Sequence, residues 1–202
     1  MNIGFVPVAA AAGAAAGWLV LQLVNRTTKR TSSKIETALV TVASAALIAA
    51  LALKFRTNDF SFAVYGILVL VLIGVTVFDI RKHTIPHVVT IPGTIAGLIA
   101  GSMVLPLGIR ESVLGLLVGG GVLLAAALVE ALRKKEIGGG DWKYAAMIGS
   151  FVGPQRIIIA LVLTGVFGAV GAIALAVSGR HAKPQALGPW LSAGAVASIL
   201  LA

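Results

Sequence analysis

Long apolar runs alternate with short polar stretches along the whole chain. Each run is close to twenty residues, carries charge only near its ends, and lacks the every-second-residue alternation of a half-buried β-strand. At about 1.5 Å per residue, twenty helical residues cross the hydrocarbon core of a bilayer, roughly 30 Å. The pattern therefore predicts transmembrane helices at residues 3–24, 36–53, 60–79, 88–107, 112–132, 156–178 and 187–202.

One further apolar segment, 141–153, is too short to cross a bilayer alone without tilt or local thinning. Gly153-Pro154 ends it, so it is either a half-helix or a bent continuation into 156–178. Counting it predicts an all-α, polytopic transmembrane helical bundle of seven to eight membrane segments. The longest polar stretch, Asn25–Lys34, is only a loop, so we expect residues 1–202 to form a single integral membrane domain without a separate soluble domain.

Composition supports a bilayer as the solvent for this chain. Hydrophobic residues make up 58% and charged residues only 11%, with a mean hydropathy of +1.02, whereas soluble domains carry about 25% charged residues. There are no cysteines, which excludes disulfides, thiolate catalysis and cysteine-based zinc sites. The net charge of +9 indicates membrane lipid, and no nucleic acid, as the partner of the basic residues.

The basic residues also predict an orientation, because they gather in cytoplasmic loops. With eight crossings and the N-terminus outside, twelve Lys and Arg residues fall inside and four outside. If 141–153 does not cross, the split becomes eleven to five, which is slightly less favourable. No Lys or Arg precedes the first run, so a cleavable signal is not indicated. We expect an integral protein of the cytoplasmic (inner) membrane.

Two aspartates stand out among the seven acidic residues. Asp79 ends the third apolar run, and Asp141 follows the glycines at 138–140. Two full spans separate these aspartates, and an even number of crossings returns the chain to the same side, so both should face the cytoplasm. Two carboxylates that share one proton can activate water for attack on a carbonyl, as in aspartic proteases.

Each aspartate also has a simpler interpretation. An Asp after glycines, such as Asp141, is a good N-cap for the helix that follows. Asp79 could be the polar end of a span beside Arg81, which we expect in a loop and directed to water. His83 and His87 are four residues apart and could bind zinc from one helix face. A proline between them interrupts that helix and no third ligand is evident, so loop histidines are the better interpretation.

Around the two aspartates the sequence resembles the type IV prepilin peptidases, a branch of the GxGD intramembrane aspartyl peptidases. Members of that family carry a span-ending Asp followed seven residues later by Pro, as at Asp79 and Pro86, and Thr90-Ile91-Pro92-Gly93 is also similar. The resemblance extends over about 60–202, since Gly188-Pro189-Trp190-Leu191 is similar to a third, weaker family pattern. The second family motif, GxGDxK followed by small and apolar residues, is matched at Gly138, Gly140, Asp141, Lys143, Ala145, Ala146, Gly149 and Gly153.

The resemblance implies a membrane aspartic endopeptidase that needs no cofactor and no metal. Asp79 and Asp141 would be the catalytic pair. The substrate would be a prepilin-like or preflagellin-like protein with a short basic leader, a small residue before the cut and a hydrophobic helix after it. Cleavage would take place at the cytoplasmic face. The residues expected to shape the site are Gly138, Gly140, Lys143 and Pro86.

Two features depart from the family pattern. His87 stands where the family often has Asp or Asn after the loop proline. Bifunctional members carry a domain with paired cysteines between their first two spans, linked with N-methylation. The corresponding interval is a short basic loop without cysteine, so a peptidase-only form is expected and methyltransferase activity is not.

The alternative function is a non-catalytic membrane protein of the same fold, such as a proton-coupled carrier or a pilus assembly factor. A carrier should keep ionisable residues near the bilayer midplane, and the apolar runs place none there. An inactive homologue should lack one of the two aspartates, and both are present. These two features favour the peptidase.

Overall fold

The computed structural model describes residues 5–132, 139–177 and 186–201. Within these ranges all regular secondary structure is helical, so the predicted all-α class is confirmed. The helices are α1 (Phe5–Thr28), α2 (Lys34–Lys54), α3 (Asp59–Lys82), α4 (His87–Met103), α5 (Ile109–Leu132), α6 (Asp141–Val177) and α7 (Gly188–Leu201).

Length and composition identify five of these helices as candidate membrane spans: α1, α2, α3, α5 and α6. The other two, α4 and α7, are apolar but shorter, with 17 and 14 residues. Large apolar side chains are exposed on long and short helices alike, such as Leu23 of α1, 61% exposed, and Val88 of α4, 85% exposed. Exposed apolar side chains spread over every helix suit contact with lipid tails, as a polytopic membrane protein requires.

The first helix extends four residues beyond the predicted segment, to Thr28. Thr28 Oγ1 donates a hydrogen bond of 2.7 Å to the Val24 carbonyl, and Thr27 bonds to the preceding turn in the same way. Local side-chain bonds of this kind do not appear in a hydropathy pattern. The predicted loop Asn25–Lys34 therefore shrinks to residues 29–33.

The chain divides into two compact units, Met1–His83 and Thr84–Ala202. The single-domain organisation stays a prediction. In the first unit α1 packs against both α2 and α3. Gly13 and Gly17 face Ser44 and Ile48 so closely that an added Cβ at Gly13 would lie 2.8 Å from the Ile48 Cβ. Small residues thus allow close helix packing, as expected in lipid.

The second unit is built around the first half of α6. Every residue from 144 to 153 is buried, and α4, α5 and α7 all pack against this helix. Glycines on the neighbouring helices make the packing close: a Cβ at Gly119 of α5 would lie 2.5 Å from the Ala145 carbonyl oxygen, and one at Gly97 of α4 would meet Ser150. The helix that begins at Asp141 is therefore held by backbone-to-backbone contact.

A break at Gly153 divides α6 without ending it. Gly153 has φ 78° and ψ 175°, a conformation that side-chain-bearing residues rarely adopt, and Pro154 follows it. Pro lacks an N–H, so it is tolerated where a new helical segment starts. Segment 141–153 is therefore the bent continuation that the sequence left as one of two alternatives. Its crossing of the bilayer as an eighth segment stays a prediction.

Candidate active site

Asp79 lies in the last turn of α3 and is only 4% exposed. Val75 and Val77 of the same helix are also buried. His83 ends the helix in the left-handed conformation, with φ 49° and ψ 39°, and its backbone N–H donates to the Asp79 carbonyl at 2.7 Å. The backbone of Asp79 is thus part of a defined helix end, and its burial disfavours the simpler interpretation as a water-exposed end of a span.

Arg81 is where the expectation from the sequence was wrong. It belongs to α3 and not to a loop, and its side chain is 3% exposed. Its guanidinium binds the carboxylate of Glu36 at 2.7 Å, at the start of α2. The sequence shows a basic residue at the end of a span, but it does not show that Arg81 forms an ion pair with a carboxylate on another helix.

Only residues 83–86 separate α3 from α4. Ile85 is buried, and Pro86 occupies the N-cap position with φ −73° and ψ 125°. The Pro86 carbonyl accepts hydrogen bonds from the N–H groups of Val89 and Thr90. Proline fits here because its fixed φ suits the entry to a helix and its missing N–H costs nothing. Pro86 therefore defines where α4 begins.

The two histidines lie on different elements. His83 caps α3, whereas His87 is the first residue of α4, and both are exposed. Over the residues that the structure describes, no three His, Asp or Glu side chains form a group that could hold a metal ion. The histidines thus do not share a helix face.

Asp141 is the first residue of α6 and is half-buried. The Tyr144 N–H donates to the Gly140 carbonyl at 3.0 Å, so Gly140, and not Asp141, occupies the cap position. Asp141 is thus the first helical residue after the cap. A carboxylate in the first turn is favoured by the positive end of the helix dipole, typically by about 0.3–1 kcal/mol.

Gly140 packs against the turn that precedes α4. A Cβ at this position would lie 3.0 Å from the Ile85 Cβ and 3.5 Å from the Ile85 backbone nitrogen and oxygen. Even alanine would crowd this contact, which gives the glycine before Asp141 a physical reason. Gly138, the other glycine predicted to shape the site, lies outside the described residues.

Lys143 follows in the same first turn of α6 and is half-buried. Its ammonium nitrogen lies 5.3 Å from the centroid of the Trp142 ring, within the range of a cation–π contact. The aromatic ring thus holds the lysine head group near the start of the helix that Asp141 opens.

Tyr144 is a residue that the sequence did not single out. It is fully buried, and its hydroxyl lies 2.8 Å from the Ser192 hydroxyl of α7. Ser192 Oγ also donates to the Gly188 carbonyl at 2.8 Å, which links the first turn of α6 to the start of α7. A serine four residues after Gly188 in a helical segment indicates a hydrogen bond to the Gly188 carbonyl. The bond to Tyr144 could not be predicted, because it depends on how α6 and α7 pack.

Comparison with known proteins decides the family. The model of the type IV leader peptidase family matches residues 66–173, just over half of the chain. The chain belongs to the type IV leader peptidase family. The resemblance inferred from the two aspartate motifs is thereby confirmed, and the matched segment contains both Asp79 and Asp141.

Individual relatives carry names of the same kind. The chain is 33% identical over 130 residues to a prepilin leader peptidase/N-methyltransferase of Aeromonas salmonicida (strain A449), covering 60% of this chain and 43% of that protein. It is 31% identical over 133 residues to a type 4 prepilin-like proteins leader peptide-processing enzyme of Escherichia coli O78:H11, covering 64% and 48%. The chain thus matches about half, or less, of the length of these relatives. No solved structure matches it.

Both candidate aspartates lie in the part of the chain that matches the type IV leader peptidase family. Asp79 lies in the last turn of α3, Asp141 is the first residue of α6, and both lie within the matched residues 66–173. Their catalytic roles, and the site-shaping roles of Gly138, Gly140, Lys143 and Pro86, stay predictions.

Proposed function

We propose that this protein is a membrane aspartic endopeptidase that removes the short basic leader from prepilin-like or preflagellin-like proteins. The observation that carries the proposal is the family match over residues 66–173, which includes both aspartate motifs. The names of the relatives from Aeromonas salmonicida and Escherichia coli point to the same substrates.

Asp79 and Asp141 would act as one pair. One carboxylate takes a proton from a water molecule, whose oxygen attacks the carbonyl carbon of the scissile bond, while the other carboxyl gives its proton to the carbonyl oxygen. In the collapse of the tetrahedral intermediate, the proton taken from water passes to the departing amide nitrogen. The place of Asp141 in the first turn of α6 supports the role of the ionised partner, because the helix dipole favours negative charge there.

Sequence continuity supports the pairing of the two motifs. Ile85 contacts Gly140, the neighbour of Asp141, and only five residues separate Ile85 from Asp79 along the chain. Pro86 and Gly140 would shape the site from the two sides of this contact, and Gly138 would contribute as the first glycine of the sequence motif. Lys143 would add a positive charge near the Asp141 carboxylate.

The reaction would take place at the cytoplasmic face of the inner membrane, with the N-terminus outside. The excess of basic residues in the loops on the side of the aspartates supports this orientation. A prepilin-like substrate would arrive with its basic leader in the cytoplasm and its hydrophobic helix in the bilayer, which brings the peptide bond between them to the membrane boundary.

The proposed enzyme cleaves without methylating. Only residues 29–33 separate α1 from α2, and the chain has no cysteine for a zinc-binding insertion. The Aeromonas salmonicida relative is named a peptidase and N-methyltransferase, but this chain matches 43% of its length.

Incubation of the purified protein in detergent with prepilin-like substrates, followed by mass spectrometry, tests the proposal. We expect a cut directly after the small residue that ends the leader, and no mass increase of a methyl group on the new N-terminus when a methyl donor is added. Replacement of that small residue by a bulky one should abolish the cut. No cleavage of any prepilin-like substrate encoded beside the protein would favour a non-catalytic membrane protein instead.

A further inference from the structure

A partly buried polar cluster lies at the end of the first unit, around Arg81. The Arg81 cluster consists of Arg81, Glu36, Asn25, Thr28 and Ser32. The Arg81 side chain is 3% exposed and that of Glu36 is 31% exposed. All five residues belong to Met1–His83, so the first unit contains the complete cluster.

The guanidinium uses three nitrogens to bind these partners. Nε and Nη2 both donate to Glu36 Oε1, at 3.2 and 2.7 Å. Nη1 donates to Asn25 Oδ1 at 2.9 Å and to Thr28 Oγ1 at 3.0 Å.

The loop between α1 and α2 completes the cluster. Ser32 Oγ accepts a hydrogen bond of 2.8 Å from Arg81 Nη2 and donates one of 2.8 Å to Asn25 Oδ1. A planar fork of several donors is what arginine, but not lysine, can offer to so many acceptors.

The cluster connects three separate parts of the chain. Asn25 and Thr28 belong to the last two turns of α1, Ser32 to the loop, and Glu36 to the first turn of α2. Ser33 caps α2 by accepting the Glu36 N–H at 3.1 Å, which fixes the helix end that carries the carboxylate. The end of α3 is therefore held from α1, from the loop and from α2 at once.

Asp79 lies two residues before Arg81 in the same last turn of α3. Two residues of an α-helix correspond to about 200° of rotation, so the side chains of Asp79 and Arg81 leave nearly opposite faces. A last helical turn frays easily unless something outside the helix holds it. Arg81 thus anchors this turn from the side away from the Asp79 carboxylate.

We propose that Arg81 is a positioning residue for Asp79: the Arg81 cluster fixes the last turn of α3 so that the Asp79 carboxylate is held in one place. The proposal rests on the proposed peptidase function for its effect on turnover, but the fixing of position 79 is independent of any activity. It assigns to Ser32, in the loop between α1 and α2, a part in the organisation of the site.

A labelling experiment tests the fixing of position 79 without any substrate. The chain has no cysteine, so Asp79→Cys introduces a single thiol. Position 79 is 4% exposed, and its reaction with a small maleimide should be slow. Added Arg81→Gln should accelerate the reaction at least about tenfold, because local opening of the helix end exposes the thiol.

Two controls separate this effect from general loosening. Arg30→Gln makes the same chemical change at an exposed loop residue and should leave the labelling rate of Asp79→Cys unchanged. Val69→Cys places the thiol at a fully buried position three turns earlier in α3, and Arg81→Gln should not accelerate its reaction.

Kinetics on an otherwise unmodified protein test the consequence for turnover. Arg81→Gln should lower kcat for a prepilin-like substrate by about ten- to a hundredfold, because a small misplacement of a reacting group is costly, with KM changed by less than about threefold. Arg81→Lys should recover part of the loss, and Glu36→Gln, which keeps an oxygen acceptor, should have a smaller effect. Arg30→Gln should behave like the unmodified protein.

The outcomes distinguish the positioning role from the peptidase function. Unchanged labelling at position 79, or equal acceleration at 79 and 69, overturns the positioning role. A lower thermal stability of Arg81→Gln with unchanged kcat also overturns it, because the cluster would then only stabilise the fold. Accelerated labelling at 79 alone supports the fixing of position 79. If the protein with Asp79 intact then cleaves no prepilin-like substrate, the peptidase function is overturned while the fixing of position 79 stands.

Discussion

The contact between α5 and α6 should not tolerate a methyl group at Gly115. An added Cβ there would meet the Gly149 carbonyl oxygen and would lie 2.7 Å from the Gly153 Cα. Both neighbours are backbone atoms of α6, so no side chain can rotate away and the two helices must separate. Overpacking of this kind typically costs about 1–3 kcal/mol, and we expect Gly115→Ala to fall at the upper end of that range.

Gly121→Ala is the matched control for this change. It lies on the same helix, and a Cβ there meets nothing within 4 Å. Glycine within a helix costs about 0.5–1 kcal/mol relative to alanine, so this variant should be neutral or more stable. Replacement of glycine by alanine should therefore lower the free energy of unfolding at position 115 and leave it unchanged or raise it at position 121.

Unfolding in detergent, followed by circular dichroism during titration with a denaturing detergent, measures both variants. Gly115→Ala should unfold at a lower denaturant fraction than the unmodified protein and Gly121→Ala at an equal or higher one. Because Gly149 and Gly153 lie in the helix that Asp141 opens, Gly115→Ala should also lower the cleavage rate. Equal stability of the two variants would show that α5 and α6 do not pack through these glycines.

Three further predictions concern single positions. His83→Val should be less stable than His83→Gly by about 1–2 kcal/mol, because a β-branched residue is strained at φ 49°; equal midpoints of thermal unfolding would contradict this helix end. Lys143→Gln should lower kcat more than Lys134→Gln, a change outside the described residues, because only Lys143 lies in the first turn of α6; equal small effects would leave Lys143 a lipid-facing residue. A membrane-impermeant maleimide should label Arg30→Cys in inverted membrane vesicles but not in intact cells, since loop 29–33 should face the cytoplasm; the reverse pattern would place both aspartate motifs outside.

The helices could be predicted because a helix that crosses a bilayer needs about twenty apolar residues, and runs of that length are visible in the hydropathy of the sequence. The ends of the helices could not be predicted, because they depend on local hydrogen bonds. Thr27 and Thr28, for example, bond to the preceding turn and extend α1 into the predicted loop. Two interpretations of segment 141–153 remained open from sequence, since Gly153-Pro154 can either end a helix or bend it. The structure shows the bend, with the non-helical backbone of Gly153 between two helical segments.

The candidate site was predictable where chemistry and spacing coincide. Asp79 and Asp141 could be singled out as candidates because carboxylates are rare in this chain and each lies in a distinctive local sequence. The Arg81 cluster could not, because Glu36 is 45 residues away and only the packing of α2 against α3 brings them together. The same reason hid the bond between Tyr144 and Ser192, which are 48 residues apart.

Cleavage by aspartate variants tests the central claim most directly. Asp79→Asn and Asp141→Asn keep the size and hydrogen bonding of each side chain but cannot exchange the proton, so each should abolish release of the leader while the protein stays folded in detergent. Asp59→Asn is the matched control, since Asp59 is exposed at the other end of α3, and it should cleave at the unmodified rate. Loss of cleavage in both site variants, with Asp59→Asn active, is the predicted result, and full activity of either Asp79→Asn or Asp141→Asn would contradict the aspartic peptidase assignment.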